Sequence, residues 1–444
     1  MQKIKSPNPV DLKNYEKGLN NPKVYYGLPS SIKFCTKCTY SNQKPSSEVE
    51  SQHKLNIKKT VISFNKNGVC SACQVNEKKK DIDWKEREKE LIELCKKYKK
   101  KDGSYDCIVP GSGGKDSFYA SHVLKYKYGM SPLTVTWAPH IYTSWGYKNF
   151  QSWLEAGFDN YLFTPNVKVH RLLTRLALEN IHHPFQPFIL GQKHFPPKIA
   201  ADLNIPLVFY GENPVEYGND KSKYYENSEQ DKKYFMNSGK TKAAFSGFEE
   251  EELKDFGITT KDLKPYRALT QDEMDQKKIK VNYLGYFLPW HPQNNYYYSV
   301  ENSNFQPAPE RSPGTYDKYS SLDDKIDDLY WYTLFIKFGI GRATYSSSQE
   351  IRNGEIEREE GIRLVSQFDG EYPKRFEKEN FQYLSIDKES FSEVSKRFEY
   401  PIMTKDYFDL LTDKFRSPHL WYFDTNRREW FLRSKIVQTA FKQV

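Results

Sequence analysis

Short apolar runs, each closed by glycine or proline and separated by amphipathic stretches, organise the middle of this chain. Tyr105 to Pro110 reads as a buried strand that runs directly into a glycine-rich loop. Phe118 to Lys125 continues as a helix, ended by Gly129-Met130-Ser131-Pro132. Leu133 to Trp137 forms a second strand, Asn149 to Ala156 a second helix closed by Gly157, and Asn160 to Thr164 a third strand. Val169 to Asn180 is a third helix. Ile205 to Tyr210 is a fourth strand, ending in Gly211-Glu212-Asn213. Strands alternating with helices predict an α/β fold: a parallel sheet covered by helices on both faces, with ligands at the carboxyl ends of its strands.

The flanks differ in pattern. Apolar positions at Trp84, Leu91, Ile92, Leu94 and Cys95 predict an amphipathic helix from Trp84 to Tyr98. Before it lies a polar unit with one short strand, Thr60 to Phe64, and a tight turn at Asn67-Gly68. Residues 215–280 are polar with little strand signal, as expected of an insertion or flap. The remainder is mostly helical, with helices predicted over Leu322–Phe338 and Glu355–Phe368. The resulting division is 1–80, 81–280 and 281–444, within the two to three domains that roughly 150 residues per domain suggests for 444 residues.

Composition changes this picture little. Aromatic residues make up 16% against 37% hydrophobic overall, so the core leans on Tyr, Phe and Trp. No run approaches the ~20 apolar residues of a membrane span, and the first residues lack the apolar core of a secretory signal, so a cytoplasmic location without membrane contact is expected. A net charge of +9, spread along the chain, suits anionic ligands and does not single out nucleic acid, which is not expected as a partner.

Four of six cysteines form two C-x-x-C pairs, Cys35/Cys38 and Cys70/Cys73. Four soft ligands on two knuckles suit structural Zn²⁺; an iron–sulfur cluster or redox thiols are the other readings. His53, between the pairs, reads as exposed. Cys95 and Cys107 fall on a helix face and in a strand, where packing is the expected role. The adjacent His182 and His183 raise the question of a metal, but neighbouring histidines rarely share one.

Gly111-Ser112-Gly113-Gly114-Lys115-Asp116-Ser117 carries the chemistry. Glycines let backbone N–H groups approach a phosphate, and the helix behind them adds its positive end. Lys115 offers charge, and Ser112 and Ser117 offer hydroxyls. The spacing is not that of the G-x-x-x-x-G-K-[ST] loop. It resembles the S-G-G-x-D-S loop of the PP-loop ATP pyrophosphatases, whose fold is Rossmann-like, of the adenine nucleotide alpha hydrolase type. That resemblance implies cleavage of ATP between the α and β phosphates, AMP transfer to an oxygen, and Mg²⁺ at the phosphates. A second loop at the same sheet edge brings Glu212, Asn213 and Glu216. These can hold Mg²⁺, orient an amine or bind sugar hydroxyls; a polar capping loop is the other reading. Trp137 ends the second strand, as an adenine contact or as packing.

Further motifs follow in one order: Gly211-Glu212-Asn213-Pro214, Ser321 to Asp328, Lys337 to Ala343, Gln349 to Gly354, and Phe368-Asp369-Gly370-Glu371. With the cysteine pairs and the phosphate loop, this series resembles the bacterial N-acetyl sugar amidotransferases over about residues 25–400. The resemblance implies that an acetamido oxygen is adenylated and that ammonia displaces AMP, leaving an acetamidino sugar for surface polysaccharide or flagellar glycan. It implies catalytic roles for Lys115, Asp116, Glu212 and Asn213, and a separate glutaminase as ammonia source; no G-x-C-x-G nucleophile is present. Asp324 and Asp328, at i, i+4 spacing, line the substrate site or a glutaminase interface, or else form a solvated face. Arg342 and Arg352 suit a substrate carboxylate or phosphate. Pro289 to Pro292 and Pro313 to Tyr316 read as rigid loops able to wall that site. The rival is a PP-loop tRNA thiolation enzyme. Such enzymes need cysteines after the loop, and here none follows Cys107.

Overall fold

A computed structural model describes residues 24–46, 60–218, 227–229, 245–386 and 403–440. His53 lies outside them. Five parallel strands form the central sheet in the order β3-β2-β1-β4-β5. They are β1 Cys107–Pro110, β2 Pro132–Trp137, β3 Asn160–Phe163, β4 Leu207–Tyr210 and β5 Lys280–Tyr283. Alternation along the strands divides the core. Ile108 and Val208 face one layer with Leu172, Phe188 and Val281. Cys107, Val109, Leu207 and Phe209 face the other with Leu91, Cys95, Leu124 and Leu284. Both faces are therefore buried, as parallel sheets require. Cys95 and Cys107 are core residues, and burial pushes the Cys95 thiol up to about 12.

Helix α1 Ser71–Lys79 belongs to the cysteine unit, and helices α2 Trp84–Tyr98, α3 Lys115–His122, α4 Ser144–Glu155, α5 Val167–Ile181 and α6 Gln186–Asp202 surround the sheet. No helix among the described residues is long and apolar enough to cross a membrane. Two elements depart from the sequence reading. α6 forms despite Pro196 and Pro197 in its interior; its Gly191 fits where any Cβ would meet the Trp137 ring at 2.1 Å. β5 pairs in register with β4 and spans the expected boundary at 280, so the sheet runs past the polar stretch rather than ending before it.

Beyond the sheet, helices Lys325–Phe338, Arg342–Asn353, Arg358–Phe368, Glu377–Ser385 and Lys405–Lys414 pack with a hairpin, Trp421–Asp424 and Glu429–Leu432. Their core joins Leu329, Ile336, Phe408 and Trp421 to Tyr26 and Leu28 from the N-terminal region. The cysteine unit docks on the same helices: Thr39 Oγ1 lies 2.9 Å from Ser347 Oγ, and Arg358 donates to Cys35 O at 2.9 Å and Cys38 O at 3.3 Å.

One carboxylate ties these helices to the sheet. Asp324, 1% exposed, caps Lys325–Phe338 by accepting from Ile326 N at 3.0 Å. It also accepts from His140 N, just past β2, and lies 2.7 Å from His140 Nδ1. Asp324→Ala removes the cap and strands these buried donors, so it should cost about 2–4 kcal/mol, read as a lower urea midpoint with unchanged slope.

Candidate functional site

The loop after β1 is built for close approach. Gly113 has φ +87°, and a Cβ there would meet Phe150 Cα at 2.6 Å; one on Gly111 would meet Ser117 Cβ at 2.1 Å. Gly114 starts α3 with no side chain capping it, so the helix N–H groups point into open space. Ser117 Oγ donates to Gly114 O at 3.0 Å and braces the turn.

A cavity of 480 Å³ opens above this loop. Gly111, Ser112, Gly114, Asp116 and Ser117 line one side, and Phe188, Ile189 and Tyr210 give it an apolar wall. Glu212, Asp323 and Asp327 add carboxylates. A second cavity of 330 Å³ lies beside it, walled by Tyr319, Trp331, Tyr345, Arg342, Gln349 and Glu350 among others. Asp116 and Glu212 line both and form the seam between them.

Electrostatics at the seam are unusual. Burial, reinforced by the Asp116 charge and opposed by Lys115, pushes Glu212 up to about 7. Burial raises Asp323, against a hydrogen bond to Ser112 of the loop, and raises Asp327 to about 6 against the Arg342 charge. Asp116 pairs with Lys115 through Oδ2 and accepts from Asn295 Nδ2 at 3.0 Å through Oδ1. Mg²⁺ fits these groups in its usual way, one or two carboxylates completed by substrate phosphates. Unlike the cysteines, they do not converge on one point.

Several expected site residues sit elsewhere. Asn213 is buried and caps the turn Pro214–Tyr217, accepting from Val215 N at 3.1 Å, and it lines neither cavity. Glu216 is also buried and pairs with Lys79 at 2.9 Å. Trp137 packs in the core against Phe163, Phe195 and Tyr266 and lines neither cavity, so packing is its place. Lys115 lines the second cavity and not the one above the loop. Asp324 is the cap, and Asp328 forms a two-pronged pair with Arg375 at 2.8 and 3.0 Å. The helix starts at Lys325 rather than Leu322, and the acids that reach a cavity are Asp323 and Asp327. Arg342 stacks on Trp331 at 4.6 Å, its buried Nε without a partner among the described residues. Arg352 instead donates to Ser348 Oγ at 2.8 Å and Glu216 O at 3.1 Å. His182 and His183 are buried and stack on Phe415 and Tyr330, away from any metal cluster among the described residues. The apolar wall from α6 was missed in the sequence for want of a predicted helix. Pro292 of the first expected rigid loop walls the second cavity; of the second loop, none of Pro313 to Tyr316 lines either cavity, and the wall comes from Asp317 and Tyr319 just after it.

The four cysteine sulfurs lie within 4.8 Å of one another, all buried. Bonds of ~2.3 Å to one Zn²⁺ require tetrahedral edges of about 3.8 Å. The Cys38–Cys70 and Cys35–Cys73 edges are 3.6 and 3.9 Å, far too long for disulfides. Backbone N–H groups of Lys37 and Cys70 point at Cys35 Sγ from 3.4 and 3.3 Å, which favours a thiolate. The set can therefore hold zinc. Mass spectrometry of the native chain should find about one zinc per molecule. Cys38→Ser should lose it and lower the melting temperature, because Thr39 and Arg358 carry the unit's docking contacts.

Residues 313–436 match the family model of the C-terminal domain of WbpG-like lipopolysaccharide biosynthesis proteins. A stretch of 77 residues is 35% identical to an uncharacterized protein, MJ1599, of Methanocaldococcus jannaschii; it covers 17% of this chain and 27% of that protein. The chain thus spans about a quarter of the length of this curated relative. The helices that supply Asp327, Arg342 and Glu350 belong to the matched region. They are similar to a domain of lipopolysaccharide biosynthesis, which supports a role for the chain in making polysaccharide sugars.

Proposed function

We propose that this chain is an ATP-dependent amidotransferase that converts the acetamido group of an N-acetyl sugar into an acetamidino group. One observation carries the reading: a phosphate-type loop at the end of β1 opens a cavity that meets a second, polar and aromatic cavity at Asp116 and Glu212. Two substrates held on either side of a carboxylate seam suit transfer of AMP from one to the other. Tyr319 and Trp331 offer faces for a sugar ring, Gln349 and Asn353 read hydroxyls, and Arg342 offers an unspent donor.

The acyl oxygen attacks the α-phosphorus. An O–P bond forms, the bond to the β-phosphate breaks, and pyrophosphate leaves along the loop amides. Ammonia then attacks the acyl carbon, the C–O bond breaks, and AMP leaves. The attacking nitrogen sheds one proton to Glu212, which passes it to solvent, and the amidine, keeping the original amide N–H, departs as its cation. One or two of Asp116, Asp323 and Asp327, together with substrate phosphates, would hold Mg²⁺, which would neutralise phosphate charge. A glutaminase partner is proposed as the nitrogen source. Of the six cysteines, four form the zinc set and two are core, so none is exposed as a glutaminase nucleophile or sulfur carrier. A cytoplasmic setting belongs to the same proposal, since it supplies ATP.

Pyrophosphate release from ATP, with ammonium and a panel of N-acetyl sugars, tests the reading. Release that needs one sugar, with a product in which NH replaces O, is expected. Release with bulk tRNA and with no sugar overturns it in favour of RNA thiolation chemistry. At constant free ammonia the rate should rise with pH through about 7, because the Glu212 carboxylate is the base and is lost below that value. Glu212→Gln should remove this limb and slow turnover by about 100-fold or more.

A further inference from the structure

The phosphate loop and the second cavity share a helix start, and its geometry separates three neighbouring side chains. Successive residues of an α-helix turn by about 100°. At the start of α3 this carries Lys115, Asp116 and Ser117 around an arc of about 200°. Ser117 lines the cavity above the loop, Asp116 lines both cavities, and Lys115 lines the second alone. The lysine is held there. Its side chain is 9% exposed, and its ammonium pairs with Asp116 and lies 5.9 Å from the Tyr319 ring centre. Ser299 Oγ donates to its carbonyl at 3.2 Å, pinning the helix start to Pro292–Asn302.

We propose that Lys115 serves the sugar acceptor rather than the triphosphate, its ammonium contacting the acyl acceptor across the seam. The proposal rests on the amidotransferase reading and adds a division of labour to it. Backbone N–H groups take the pyrophosphate, on a turn that the Ser117 hydroxyl braces. Lys115 approaches from the far side, where the acyl oxygen becomes bonded to phosphorus. When nitrogen attacks and the C–O bond breaks, the electron pair goes to the phosphate oxygen of AMP. The ammonium faces that developing charge and keeps its own proton.

Equilibrium binding of ATP and of inorganic pyrophosphate to the full zinc-loaded chain separates the two roles. Lys115→Ala should bind both within about threefold of the native protein. With the N-acetyl sugar that supports pyrophosphate release, it should raise the half-saturating sugar concentration or lower the sugar-dependent rate at least about tenfold, the worth of one charge-assisted hydrogen bond. Lys115→Arg, which keeps the charge, should recover part of that loss, and zinc content reports that each variant is folded. Ser117→Ala should show the opposite pattern, with weakened pyrophosphate binding. Loss of ATP and pyrophosphate affinity by at least about tenfold in a folded Lys115→Ala, with sugar saturation unchanged, overturns the assignment and leaves the amidotransferase reading standing. A native chain that binds no ATP sinks both.

Discussion

The junction between the sheet and the helices that wall the second cavity turns on one buried carboxylate that lines neither cavity. Asp324 collects the N–H of His140, the His140 ring and the N–H of Ile326. A buried acceptor of this kind is costly unless satisfied, and here these three groups and the Ile141 N–H, from two parts of the chain, satisfy it. The consequence is geometric. The end of β2 and the start of Lys325–Phe338 cannot drift apart without exposing donors to an apolar surround. Asp323 is thereby held beside Ser112, and Asp327 beside Arg342. The sheet supplies the glycine-rich loop and the helices supply much of the second cavity; the hydrogen bonds of Asp324, with the backbone bonds Lys325 N to Ile141 O and Thr143 N to Asp323 O, join the two.

A similar economy runs through the motifs that carry the family resemblance. Asp369 accepts from Gly341 N at 2.9 Å and Thr344 N at 3.1 Å, so it caps the helix that presents Arg342. Glu371 pairs with Arg311 and accepts from Gly314 N at 3.0 Å, which braces the loop leading to Asp317 and Tyr319. Gly370 takes φ +80° and lies where a Cβ would strike Phe335 at 2.1 Å. These residues touch neither cavity. They hold in place the ones that do, which is why a motif alone misleads about which of its members meets a ligand.

The fold was legible where local chemistry and tertiary role agree. β1, β2 and β4 are apolar runs bounded by turn residues, and the loop glycines stand where only glycine fits. β5 was not, because Lys280-Val281-Asn282-Tyr283 is short and half polar, and only its pairing with β4 makes it a strand. α6 was hidden by Pro196 and Pro197, which a helix tolerates when packing compensates. In the site, the residue types were readable and their directions were not. Asp323/Asp327 and Asp324/Asp328 share the same i, i+4 spacing, so spacing alone could not say which pair faces a cavity. The same limit hid the orientation of Lys115, since a motif gives order along the chain and not angle around a helix. Asn213, read for chemistry, went to capping, the role its side chain favours after any strand.

On the proposed reading, the charge pattern constrains how a nucleotide would enter. Asp116, Glu212, Asp323 and Asp327 line the cavity above the loop, with Lys193 the lysine on its wall. Burial already pushes Glu212 to about 7 and Asp327 to about 6, so the site resists its own negative charge before any ligand arrives. A triphosphate brings several more charges into the same low-dielectric space, where each repulsion counts for more than in water. On the proposed reading, such a cavity would discriminate against bare nucleotide and favour nucleotide accompanied by a divalent cation, whose usual ligands are carboxylates and phosphates. The same field suits the proposed chemistry at its end: a neutral acetamide enters, a cationic acetamidine forms beside carboxylates, and AMP and pyrophosphate, both anions, are expelled.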